Sequence, residues 1–142
     1  MPASGKKATV LVDTSVAVAL VVADHDHHEN AFHALRDRRW GLAGHAAFET
    51  FSVLTRLPPP ARRTPGTVAQ LLAKSFPETR FLGPQAAASL LAALGTAGIA
   101  GGSVYDALVG AVAHEHRLTL ATRDHRALEV YRALDVDAEL IT

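Results

Sequence analysis

The sequence predicts an α/β sandwich with a mainly parallel sheet. Two observations carry that reading. Short apolar runs rich in β-branched residues alternate with longer segments of helical character, the order that parallel sheets require. The composition, 49% hydrophobic and 20% charged over 142 residues, suits one buried core rather than disorder.

The run "ATVLVD" opens the fold as a buried strand that ends at Asp13. "TSVAVALVV" follows at once as the start of a helix. Asp26 precedes Glu29 by three residues, a capping-box pattern for the helix "HHENAFHALRDRR". Trp40 to Ala43 is a brief second strand. "HAAFETFSVLTRL" is a helix that Pro58, Pro59 and Pro60 stop. "ARRTPG" is loop, and "TVAQLLAKSF" is a short helix. "TRFLG" predicts a third strand. "PQAAASLLAALGTAG" opens on proline and closes on glycine, the usual helix asymmetry. "GGSVYDALVGAVAHEH" is the next helix, "RLTLAT" a fourth strand, "DHRALEVYRAL" a helix and "AELI" a fifth strand. No repeat or low-complexity segment interrupts this order. The chain reads as one domain over residues 1–142, with residues 1–7 as a flexible tail.

Several function classes drop out early. Fourteen basic residues balance fourteen acidic ones, so bulk charge alone does not hold this chain to nucleic acid, although a local basic patch stays open. The absence of cysteine excludes disulfides, thiolate metal sites and cysteine nucleophiles. "MPASGKK" has no apolar signal core after it, and Asp13, Thr14 and Ser15 make the run from Ala8 to Ala23 too polar to span a membrane. The expectation is a cytoplasmic protein without membrane contact.

The acids are placed suggestively. Asp13 ends the first strand and Asp124 follows the fourth. In open parallel sheets, ligands bind in the crevice beyond the strand C-termini. If those strands are neighbours, both acids face that crevice. Asp106 opens the helix leading into the fourth strand, and Glu49 lies on the helix after the second. Each acid also has a reading without chemistry. Asp13 and Asp124 can cap helices, Ser103 to Asp106 is an S-x-x-D capping box, and Glu49 can be a surface residue. The helical wheel weakens the capping account of Asp106, because Val109, Gly110 and Ala113 lie nearest to it in angle. A carboxylate on a helix buried on most sides is costly unless paired or bound to a cation, and no lysine is an obvious partner. A divalent metal resolves the repulsion among clustered acids.

"VLVDTSVAVAL", the glutamate in "HAAFETFSVLTRL", "VYDALVGAVA" and "LTLATRDHRAL" occur in the order seen in PIN-domain ribonucleases. The chain resembles that family, and within it the VapC-type toxins of type II toxin–antitoxin pairs, from Thr9 to Ile141. The resemblance implies a three-layer α/β/α sandwich with a five-stranded parallel sheet whose central strand carries Asp13. It matches Asp13, Glu49, Asp106 and Asp124 to the family's catalytic, metal-binding acids. Thr14, Ser15 and Thr122 fall where hydroxyls support that cluster. His125 and Arg126 stand where the family often has a basic pair, with histidine a departure in the first place. It further implies Mg²⁺ or Mn²⁺, an RNA substrate, a homodimer and a cognate antitoxin. Hard carboxylate oxygens suit those metals, and a metal-bound water can supply the nucleophile.

Other signals stay open beside this one. His25, His27, His28 and His33 invite a zinc reading, but a polar loop and helix start explains them. Arg56, Arg62 and Arg63 surround the proline loop as an RNA path or as solvated charges. Phe48, Phe51 and Leu54 read as core or interface. Two competing functions remain: an aspartyl-phosphate phosphatase-like enzyme built on Asp13, and a non-catalytic RNA- or protein-binding module. The first normally has an aspartate where Ser15 stands and a lysine near the acids. Activity separates the second.

Overall fold

The computed structural model describes residues 7–142, so most of the expected N-terminal tail lies outside the described residues. The elements run β1 (Thr9–Val12), α1 (Thr14–Val21), α2 (His28–Leu35), β2 (Arg39–Leu42), α3 (His45–Thr55), α4 (Pro65–Ser75), α5 (Pro84–Ala97), α6 (Ser103–His116), β3 (Thr119–Thr122), α7 (His125–Ala133) and β4 (Ala138–Leu140). The sheet order is β2-β1-β3-β4, with every pairing parallel. β1 and β3, the expected first and fourth strands, are neighbours.

Successive strand residues face opposite sides of a sheet. Val10 and Val12 enter the core shared with α1, α2, α3 and α4, whereas Leu11 enters the core shared with α6 and α7. All three are fully buried. Burial on both faces is why "VLV" carries no polar alternation. The result is a three-layer α/β/α sandwich.

The fold has four strands among the described residues, where the sequence predicts five. The segment expected as the third strand forms only one parallel bridge, between Ala43 and Arg80. It runs beside the β2 edge, with Glu78 N–H donating to the Trp40 carbonyl and Arg80 N–H to that of Leu42. The Leu42 N–H is met by the Thr79 hydroxyl at 3.0 Å rather than by a carbonyl. The Glu78 carbonyl accepts from the Arg80 guanidinium at 2.6 Å. A side-chain hydroxyl thus replaces one rung, and Pro84 starts α5 before pairing can continue. Gly41 permits the close approach: a Cβ there would lie 2.2 Å from the Glu78 carbonyl oxygen.

A second expectation also fails. Helix α2 starts at His28 behind His27, without a side-chain cap, so Asp26 and Glu29 form no capping box. The end of α2 is held instead by Trp40, whose indole N–H donates to the Leu35 carbonyl at 2.7 Å. The proline–glycine pair behaves as read: Pro84 opens α5 and Gly98 closes it in the left-handed region. Among the described residues no helix is long and apolar enough to cross a membrane.

Thr50 on α3 is fully buried, and its hydroxyl has no hydrogen-bond partner among the described residues. Thr50→Val keeps the shape and removes the unsatisfied group. It is expected to raise stability by about 1 kcal/mol, read as a higher urea midpoint at unchanged m-value. A lower midpoint would mean that the hydroxyl has a partner.

Candidate functional site

Asp13 stands where β1 hands over to α1. It is 5% exposed, and its extended backbone (φ −88°, ψ −179°) makes it the N-cap of α1. Its Oδ1 accepts from the Ser15 hydroxyl at 2.6 Å and from the Val16 N–H at 3.3 Å. Its Oδ2 accepts from the Tyr131 hydroxyl at 2.9 Å. Burial pushes the Asp13 carboxyl above its ordinary value, and donors from Ser15, Thr122, Tyr131 and Val16 pull it partly back. Tyr131 itself, buried against that carboxyl, is pushed far upward, so its phenol stays a proton donor.

The end of β3 supplies the facing wall. The Arg123 N–H donates to the Ser15 hydroxyl at 2.9 Å, so Ser15 ties the two strand ends together. Asp124 caps α7, its Oδ1 accepting from the Arg126 and Ala127 N–H groups at 2.9 and 3.3 Å. Buried Thr122 accepts the Asp124 N–H at 3.1 Å. The capping readings of Asp13 and Asp124 are therefore correct, and each still turns toward a common cleft.

Asp106 differs. Helix α6 begins after Gly102 without a side-chain cap, so the Ser103–Asp106 capping box does not form. Its carboxyl is pushed up chiefly by burial, then by the charges of Asp124, Asp13 and Glu49, with Arg126 opposing. Glu49 is open, its side chain 44% exposed and its Oε1 3.8 Å from Nε2 of His45. The His45 ring stacks on Tyr105, with centroids 5.1 Å apart and planes 22° from parallel.

All four expected acids line one polar cleft of about 110 Å³, together with Thr14, Ser15, Val109 and Tyr131. The Thr14 hydroxyl is buried and lacks a hydrogen-bond partner among the described residues. Among the described residues, Asp13, Asp106 and Asp124 form no ion pair. Larger hollows exist. One of about 350 Å³ between α5 and α6 is lined mainly by Ala86, Leu90, Ala93, Ala111 and Leu134, and offers no converging acids. The acid cleft is the chemical candidate.

No group of three His, Asp or Glu side chains among the described residues closes tightly enough to cage a metal. Mg²⁺ asks for no such cage: it keeps several waters and is held by one or two carboxylates. Hard oxygen donors, three of them outside any ion pair, and an orphaned hydroxyl beside them fit such an open site. The histidines of the first loop are occupied locally: His28 Nδ1 lies 2.8 Å from the Ala19 carbonyl, and His25 Nδ1 accepts from the His27 N–H at 3.1 Å.

Sequence reasoning missed Tyr131. It falls in the apolar stripe of α7 with Ala127 and Leu128, which reads as core. The available signal was its hydroxyl, since a buried tyrosine needs a polar partner.

The sequence model of the PIN domain family matches residues 10–133. Ribonuclease VapC27 of Mycobacterium tuberculosis (strain ATCC 25618 / H37Rv) is 43% identical over 130 residues, covering 92% of this chain and 95% of that protein. Ribonuclease VapC40 of Mycobacterium tuberculosis (strain CDC 1551 / Oshkosh) is 45% identical over 132 residues, covering 92% and 97%. In three dimensions the chain is similar to VapBC2 from Rickettsia felis, solved bound to a DNA fragment from their promoter. The TM-score is 0.67 at 14% identity, covering 94% of this chain and 99% of that one. At that identity the likeness concerns the fold alone.

Proposed function

The chain belongs to the PIN-domain family, and from that premise we propose that it is the toxin of a type II toxin–antitoxin pair, a metal-dependent endoribonuclease. One observation carries the catalytic part: Asp13, Glu49, Asp106 and Asp124 line a single cleft beyond the C-terminal ends of parallel strands.

Asp13 and Asp106 would hold Mg²⁺ or Mn²⁺, with Asp124 and Glu49 reaching it through its bound waters; the ion would supply an activated water and charge neutralisation at the phosphoryl group. The chain's own part is positioning. Ser15, Val16 and Tyr131 fix both oxygens of Asp13. Asp124 spends Oδ1 on its helix cap, which leaves Oδ2 for the cleft. Asp106 and Glu49 carry no such hydrogen-bond commitments, which suits ligation for the first and orientation of the attacking water for the more exposed second. Thr14 adds a free hydroxyl.

The phosphatase alternative finds less support. Ser15 is committed to Asp13 and to the Arg123 N–H, and no lysine among the described residues lines the cleft.

The partners in this reading are RNA, a cognate antitoxin and a second copy of the chain, in the cytoplasm. Apolar surface supports protein partners, although not all of it where the sequence placed it. Leu54 is fully buried and Phe51 partly so, whereas Phe48 is 65% exposed and pairs with exposed Phe81. Helix α5 buries no residue, and its Leu91 is 73% exposed.

Purified, antitoxin-free protein is expected to cleave cellular RNA with Mg²⁺ or Mn²⁺ and to stop in EDTA. Equal cleavage in EDTA removes the metal from the reading, and no cleavage at all favours a binding module. Co-expression with an adjacent small gene is expected to relieve growth arrest.

A further inference from the structure

The stack of Tyr105 on His45 is left over by the site as described. Tyr105 is 52% exposed and joins neither core cluster. Its ring lies nearly parallel to the imidazole, at a separation typical of offset stacking. The pair is tied to the cleft at two points. Tyr105 precedes Asp106 in the chain. His45 sits one helical turn before Glu49, the spacing of face-sharing neighbours, and its Nε2 is 3.8 Å from that carboxylate.

Position decides what this surface recognises. Phe48 precedes Glu49 as Tyr105 precedes Asp106, so chain adjacency alone decides nothing; what sets the Tyr105–His45 pair apart is the His45 Nε2, 3.8 Å from the Glu49 carboxylate. Through His45 this pair adjoins one acid of the cleft, so in the ribonuclease reading the group carried to it is a base next to the scissile phosphate. Every base has a π-face, and stacking on aromatic side chains is the general way in which single strands are held. Arg126, whose charge reaches Asp106, adds a cation near the same phosphate path. We propose that Tyr105, backed by His45, is a base-stacking subsite for an unpaired nucleotide adjoining the scissile phosphate. This rests on the ribonuclease reading of the cleft.

The test uses the full chain and short single-stranded RNAs carrying 2-aminopurine at successive positions, in EDTA so that no cutting occurs. Wild type is expected to quench the fluorescence at one position. Tyr105→Ala should lose that quenching and bind roughly 5- to 150-fold more weakly. Tyr105→Phe, which keeps the ring, should stay near wild type. With Mg²⁺ or Mn²⁺, removing the base at the quenched position should slow wild type about as much as Tyr105→Ala does. The two changes together should not add, because they delete the same contact. Unchanged quenching and affinity in a normally melting Tyr105→Ala would overturn the proposal. So would weaker binding of the antitoxin by Tyr105→Ala with RNA affinity intact, which would make the ring a protein contact. The activity reading fails separately: wild type that quenches the probe but cuts no RNA keeps the subsite and loses the nuclease.

Discussion

Asp13→Ala is expected to abolish cleavage and to cost about 2–4 kcal/mol of stability as well. Three donors converge on this one carboxylate: the Ser15 hydroxyl, the Val16 N–H and the Tyr131 hydroxyl. Truncation leaves all three without their acceptor, and each unsatisfied buried donor costs about 1–3 kcal/mol. The Val16 bond is the α1 cap, whose loss by itself costs about 1 kcal/mol. Removal of a buried charge offsets part of this, since burial already disfavours the ionised form. Asp13→Asn separates the two roles. Its amide oxygen still serves Ser15 and Val16, and the Tyr131 hydroxyl can rotate to accept from the amide N–H. That variant should fold about as stably as wild type while cleavage falls on the order of 10²-fold or more, as loss of a metal ligand implies. Urea unfolding and cleavage rates of the two variants decide the matter. An alanine variant as stable as asparagine would mean that the three hydrogen bonds contribute nothing. Cleavage surviving in both would take Asp13 out of the chemistry.

Local chemistry explains which parts of this fold were legible in the sequence. "VLV" reads as a doubly buried strand because β1 is covered on both faces, and Pro84 with Gly98 marks α5 by backbone preference alone. The lost strand depends on contacts that no local pattern carries. Whether residues 79–83 pair along β2 is decided by the Thr79 hydroxyl taking the Leu42 N–H and by Gly41 admitting the Glu78 backbone. The capping boxes at Asp26 and Ser103 failed for a related reason, since the pattern specifies residue types but not where the helix begins. Within the site, Asp13 and Asp124 could be placed from strand ends once their strands were neighbours. Glu49 and Asp106 needed the helices to converge. Tyr131 was hidden because its partner lies 118 residues away in the chain, and an aromatic in an apolar stripe reads first as packing.

Asp106→Asn in EDTA is expected to melt above wild type, the reverse of what loss of a helix cap would do. Asp106 caps nothing in α6, and its charge is opposed by burial and by Asp124, Asp13 and Glu49. Asparagine removes that charge with little change of shape. The gain should be about 0.5–2 kcal/mol, toward the lower end because solvent screens a half-exposed carboxylate. The pH dependence has a definite sign. The folded-state carboxyls of Asp13 and Asp106 titrate above their ordinary value of 3.8, so the folded chain binds more protons than the unfolded one in that window. The stability they contribute is complete below the unfolded value and is lost as pH rises through the folded one. Metal-free wild type should therefore lose stability as pH climbs through that window, and Asp106→Asn should flatten the slope. Mg²⁺ or Mn²⁺ should then raise the wild-type melting temperature by mass action and the variant's far less, because the folded state alone presents the assembled acids. Melts of both proteins across pH, with EDTA and with metal, read all three effects. A variant that melts lower in EDTA and keeps the full metal shift would show that Asp106 supports the helix and takes no part in holding the ion.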